Sequence, residues 1–198
     1  MHCVAGDGFG ILAGAVLASI LGIGGVAEAI LEYILGFAFG WTIFQALFMR
    51  NMAGGSYRRA LESTFMSELL SMNLLMAGMF PTVAILRRYV PSADTPLTPN
   101  FWFVMSMGLL VGFIIAYPMN WWLVANRLKH GMMTVRPAHA PAGGHDHAPE
   151  ASMSGMSHGS HMSMDAGQLL WPPLAVMALL SFLALAVGVA IALLVSRL

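Results

Sequence analysis

The sequence predicts an all-α integral membrane protein, a polytopic helix bundle of about five transmembrane helices, with four as the alternative count. Three observations carry that expectation. Of 198 residues, 58% are hydrophobic and only 9% charged, where a soluble domain carries about 25% charged residues. The mean hydropathy is +0.75. Several apolar runs exceed the ~18 residues that mark a membrane-spanning helix. Nine Lys and Arg balance nine Asp and Glu, so there is no basic surface for nucleic acid. The one cysteine, Cys3, cannot form an internal disulfide.

The first span is expected from Gly8 to Val26 and the second from Ala29 to Met49, in one apolar stretch broken by Gly24-Gly25 and Glu28. A single helix of that length would be about twice the ~30 Å bilayer core at ~1.5 Å per residue, so two helices are expected. The start MHCVAGDGFG has no Lys or Arg, and no stretch reads as a cleavage region, so the first segment is expected to stay in the membrane. The third span covers Glu62 to Leu86, the fourth Phe101 to Ala125 and the fifth Leu170 to Ser196. Residues 127–168 hold Gly, Ser, Pro, Ala, His and Met and almost no branched apolar side chains. Such a segment buries too little to offset its ordering entropy and is expected to be disordered without a ligand. It divides residues 1–126, a four-helix transmembrane block expected to stand alone, from residues 169–198, an isolated C-terminal transmembrane helix. With five spans, Arg50, Arg58, Arg59, Arg127, Lys129 and Arg136 share one face with the N-terminus, against Arg87, Arg88 and Arg197 on the other. That excess favours a cytoplasmic N-terminus and His/Met segment, and a count of four spans would invert the side of the segment.

Small residues recur every four positions in the first span, at Gly6, Gly10, Gly14, Ala18 and Gly22. Gly36 and Gly40 repeat the pattern in the second span, as do Gly108, Gly112 and Ala116 in the fourth. At that spacing two helix backbones can approach closely, in tight packing or oligomerisation. The run LLWPPLAVMALLSFLALAVGVAIALLV of the fifth span carries no charge and one serine, and reads as an anchor with Trp171 at the interface.

The third span, ALESTFMSELLSMNLLMAGMFP, is the unusual one. Charged groups inside a bilayer are costly and tend to face a bundle interior or a water-filled path. At ~100° per residue, Glu68, Met72, Met76 and Met79 fall within an arc of about 80°, with Glu62, Met66 and Asn73 on the opposite arc. A helix polar on two sides is expected to be surrounded by protein. Thioethers are soft and uncharged and suit Cu(I); methionine is also an adaptable packing residue. Six of seven histidines lie in residues 127–168: His130, His139, His145, His147, His158 and His161. Six methionines lie there too, including Met153, Met156, Met162 and Met164 in the run SMSGMSHGSHMSM. Imidazole serves Cu(II), Ni(II) and Zn(II), while thioether serves mainly Cu(I), so interleaving them points to copper in either oxidation state. No Cys-x-x-Cys or His-Glu-x-x-His pattern is present, which argues against a structural zinc site or a zinc peptidase.

At the N-terminus, His2 and Cys3 stand beside a methionine and form a second candidate Cu(I) site, with Asp7 close by. Asp7 reads equally as a cap at the positive end of the first helix. Glu28 and Glu32 read as interfacial carboxylates. Pro118 interrupts the fourth span, where Asn120 can satisfy exposed backbone groups, and Trp121 and Trp122 form an aromatic belt.

The HCxxGD start, the segment GFAFGW and the run FWFVMSMGLLVGFIIAYPMNWWLV followed by LKHGM together resemble a bacterial domain-of-unknown-function family of multi-pass membrane proteins. The likeness spans residues 2–133 and implies a bacterial inner-membrane location; it carries no established activity. Members often show an Asp and a Ser in the third span, where this chain has Glu62 and Glu68 as its acids. A looser analogy links the chain to Ctr-type copper transporters, which combine a His/Met-rich tail, a Met-x-x-x-Met helix and a Gly-x-x-x-Gly helix. Met72/Met76 and Gly108/Gly112 match those features in a different order.

The expected function is therefore a membrane protein that binds and handles copper as Cu(I) or Cu(II), with an intramembrane Cu(I) path through Glu68, Met72, Met76 and Met79. One alternative is an accessory or scaffold subunit of a membrane complex. Another is a proton or cation pathway built on intramembrane glutamates. No nucleophile–base pair or cofactor motif is present, so an enzyme is not expected. The expected partners are the lipid bilayer, a metal ion and either further copies of the chain or a larger membrane complex.

Overall fold

Helix is the one regular element of the computed structural model, which describes residues 2–46, 57–126, 128 and 171–197. Helix α1 spans His2–Leu21 and α2 spans Val26–Ala38, continuing as a π-helical segment over Phe39–Ala46. Helix α3 spans Tyr57–Tyr89, α4 spans Pro99–Ala125 and α5 spans Leu174–Arg197. Four stretches are long and apolar enough to cross a membrane: Val26–Ile43, Leu61–Tyr89, Pro99–Ala125 and Leu174–Arg197. The apolar part of α1, Ala5–Leu21, is shorter. The protein is an integral membrane helix bundle.

The break between α1 and α2 falls where the glycines predicted it. Gly22 and Gly25 adopt φ of +65° and +64°, the left-handed region in which a side chain is strained. Between α3 and α4 the chain turns in nine residues, and Thr98 caps α4 by accepting a hydrogen bond from the Phe101 N–H at 3.4 Å, with Pro99 in the first turn.

Helix α3 is the axis of the bundle, touching α2, the π segment, α4 and α5. It is also the most buried of the four membrane-length helices. The glycine stripes supply its close contacts. A Cβ on Gly112 of α4 would collide with the Leu75 carbonyl oxygen of α3, and one on Gly108 would meet Val83 and Met79. Where α1 meets α2, Gly10 of α1 abuts the Leu35 carbonyl, and a Cβ on Gly14 would lie 2.9 Å from Glu32 Cα. Backbones this close gain dispersion and Cα–H···O contacts that no larger residue permits. The core that results includes Ile11, Met72, Leu75, Met76, Met79, Phe101 and Met105. Phe9, Ile20, Ile114, Leu179 and Leu194 remain outward-facing, as a lipid-contacting surface requires.

Helix α5, expected to be isolated, packs directly on α3. Gly188 abuts the Ala77 carbonyl, and Asn73 Nδ2 donates to Ser181 Oγ at 3.3 Å. Asn73 also accepts from the Tyr33 hydroxyl at 2.6 Å, and Ser181 Oγ donates to the Ala178 carbonyl at 2.8 Å. One polar chain thus ties α2, α3 and α5 together; of the two polar sides of the third span, Glu68 and Asn73 face protein, whereas Glu62 and Met66 are exposed. A second tie is Asn120, which donates to Ser71 Oγ at 2.9 Å and to the Ala116 carbonyl at 3.0 Å.

Candidate functional site

Two acidic side chains meet inside the bundle. Asp7 of α1 and Glu68 of α3 are fully buried, and both carboxylates converge on the spot where Gly40 would carry a side chain. A Cβ there would lie 2.6 Å from Glu68 Oε1 and would overlap Asp7 Oδ1. The glycine gives two carboxylates from different helices a common space. Gly40 is also the second residue of the π segment. Such segments widen a helix locally and are frequent at functional sites.

One turn earlier on α2, Gly36 receives Ile11 from α1 and the Met72 methyl from α3; a Cβ on Gly36 would lie 2.6 Å from Met72 Cε. Glu68, Met72 and Asp7 therefore face the same strip of α2. Met76 is fully buried in the core. Met79 is also buried, but it turns toward α4, where its Cγ packs against Gly108. The predicted arc is real as a helix face, yet it serves two neighbours: Met72 faces α2 and Met79 faces α4.

Asp7 does not cap a helix. Helix α1 already starts at His2, which leaves Asp7 in its second turn and buried. The side chains of His2 and Cys3 lie outside the described residues, as do His139, His145, His147, Met153, Met156, His158, His161, Met162 and Met164 entirely. Among the described residues, no group of three or more His, Cys, Asp or Glu is assembled for a metal ion. The bundle site is instead two acids with a thioether beside them.

The remaining acids divide sharply. Glu62 is exposed and pairs with Arg58 at 3.2 Å, one turn away. Glu28 receives a two-pronged hydrogen bond from Arg87, at 2.7 and 3.1 Å. Glu32, expected at an interface with its neighbour, is 4% exposed. Gly14 explains why, since it lets the α1 backbone close over α2 at Glu32.

A family model matches residues 1–129, described as a domain of unknown function (DUF4396). The chain belongs to that family. The matched DUF4396 region holds Asp7, Gly36, Gly40, Glu68 and Met72, and it ends just beyond α4. The His/Met segment and α5 lie outside it. No curated protein and no solved structure matched the chain.

Sequence reasoning singled out Glu68 and Met72 but missed Asp7 and Gly40 as their partners. A signal existed. Asp7 precedes Gly10 and Gly14 at helical spacing, so it lies on the very stripe that must touch α2. Glu32, Gly36 and Gly40 likewise form a four-residue ladder on α2.

Proposed function

We propose that this protein binds and handles copper in the membrane, with Asp7, Glu68 and Met72 as the station inside the bundle. The observation that carries the reading is the convergence of the two carboxylates over Gly40, one turn from the Met72 methyl at Gly36. A monovalent cation entering a low-dielectric interior needs compensating negative charge, and Cu(I) in particular gains from a thioether donor. Here copper is cargo rather than a resident cofactor. The histidines and methionines of residues 127–168 would capture it, as in the looser analogy with Ctr-type transporters. Met76 continues the soft line on α3. The setting is the bacterial inner membrane, with the chain acting as a homo-oligomer or within a larger complex.

The test is Cu(I) titration of the purified full-length protein against a chromophoric Cu(I) chelator, with metal content measured in parallel. Deleting residues 137–168 should remove most of the bound copper and leave a remainder that Met72→Leu with Glu68→Gln abolishes. No saturable binding by the full chain would refute the reading. Leucine at Met72 preserves volume at a cost of about 1.5 kcal/mol or less, so lost binding would not reflect misfolding.

A second reading is a proton or hard-cation pathway, which the carboxylate pair favours because it needs no sulfur. In proteoliposomes, a proton or sodium flux lost in Asp7→Asn and kept in Met72→Leu would select it. A scaffold role has less support, because Gly10, Gly14, Gly108 and Gly112 are all engaged within the chain.

A further inference from the structure

A second site lies away from the carboxylate pair. A cavity of about 360 Å³ opens between α2, α3 and α5, with Glu32 in its wall. That volume is in the range of small-molecule pockets. Phe80, Val83, Val189 and Leu193 give it apolar sides, and Glu28, Arg87 and Arg88 stand toward one end.

The charges at this cavity are unequally occupied. Arg87 is held by Glu28 through two hydrogen bonds and by Asp94 at 3.1 Å. Arg88 donates to the Val195 carbonyl at 3.3 Å, at the C-terminal end of α5. Glu32 is 4% exposed, lines the cavity and has no hydrogen-bond donor among the described residues. A buried carboxylate without a donor is costly, and the ligand that relieves the cost carries positive charge. Both guanidinium groups already meet acceptors of the protein, so an anion gains less here than a cation does.

The shape narrows the class further. A bare metal ion needs several oxygen, nitrogen or sulfur donors at short range, and among the described residues lining this cavity Glu32 is the one carboxylate that accepts no hydrogen bond, feeling Arg87 only through space. A pocket of this volume, apolar on most sides, suits a larger body. We infer that the Glu32 cavity binds a primary ammonium group carried on an apolar chain, with the ammonium on the Glu32 carboxylate and the chain against Phe80, Val83, Val189 and Leu193. A free alkylamine and the ethanolamine headgroup of a lipid share that chemistry. The inference is independent of copper and of the Asp7–Glu68 pair.

The experiment uses the full-length protein in phosphatidylcholine nanodiscs, with hexylammonium as probe and hexanol and hexanoate as controls, read by calorimetry at neutral pH. Empty nanodiscs provide the partition blank. Saturable binding of hexylammonium alone is expected, weakened at least tenfold in Glu32→Gln. Ala192→Phe, which fills the cavity from α5 and leaves Glu32 intact, should weaken it similarly; circular dichroism and gel filtration verify that each variant is folded. Should Glu32→Gln misfold, Ala192→Phe alone decides. Repeating the titration with phosphatidylethanolamine in the nanodiscs separates the sources. Competition identifies the lipid headgroup as the occupant, and unchanged binding identifies a free amine. Absent saturable binding, equal binding of hexanol, or unchanged affinity in a folded Ala192→Phe protein would each overturn the inference.

Discussion

The meeting of Asp7 and Glu68 at Gly40 can be tested through stability, without any ligand. In Gly40→Ala the added methyl would overlap Asp7 Oδ1, approach Asp7 Cγ to 3.0 Å and Glu68 Oε1 to 2.6 Å. Overpacking of a tight interior typically costs about 1–3 kcal/mol, while alanine recovers up to about 1 kcal/mol of helix propensity over glycine. A net loss of about 1–2 kcal/mol is expected. Asp7→Ala removes the atoms in closest conflict. In that background Gly40→Ala should be neutral or stabilising by up to about 1 kcal/mol, because only the flexible end of Glu68 must yield. The two substitutions should then couple by about 1–3 kcal/mol, far beyond the ~0.5 kcal/mol within which independent sites add. The assay is reversible unfolding of the four proteins of the cycle in mixed micelles with rising denaturing detergent, followed by circular dichroism. Additive effects would show that Asp7 does not occupy the space over Gly40, and the bundle site would be lost with it.

Gly112→Ala should destabilise by about 1–3 kcal/mol, because its methyl meets the Leu75 carbonyl and α3 and α4 must separate; Gly24→Ala, with nothing within 4 Å, should be close to neutral in the same unfolding assay. Asn73→Leu should cost about 1–3 kcal/mol by leaving the half-buried Tyr33 hydroxyl without its acceptor, and Tyr33→Phe added to it should recover part of that loss. A chain truncated after Arg136 should aggregate in detergent, since it uncovers the Asn73 and Ala77 face of α3 that α5 covers; a monodisperse peak on gel filtration would show that α3 is sealed without α5.

The parts of the fold legible in the sequence were those decided locally. Length and hydropathy define each span, and Gly22 to Gly25 break the first long apolar run because two of these residues adopt left-handed backbone. Glycine spacing announces close helix contacts, although the pattern alone does not say which helix is met. The two acids of α3 show the same limit. Periodicity puts Glu62 and Glu68 on opposite sides, but only the packing of α2 makes Glu68 the buried one and leaves Glu62 in a surface pair with Arg58. Asp7 was harder, because a helix of glycine, alanine and leucine has no polar side against which one carboxylate stands out. The π segment at Phe39–Ala46 has no periodic signature of its own.

The glycines that pack this bundle and the residues that could do chemistry in it are not separate sets. Gly10 and Gly14 bring α1 against α2, and that closeness is what buries Asp7 on one side of the contact and Glu32 on the other. Gly36 and Gly40 lie on the strip of α2 that α1 and α3 share, and each is filled by a side chain that a larger residue would exclude: Met72 at the first, Asp7 and Glu68 at the second. Were the side chains opposite it smaller than Asp7 and Glu68, alanine at Gly40 would gain helix propensity. The combination found, glycine against two acids, surrenders that propensity and buries two ionisable groups in a membrane helix bundle. Such an arrangement is the reverse of what packing favours, and the copper station proposed above would give the two carboxylates a cation to hold.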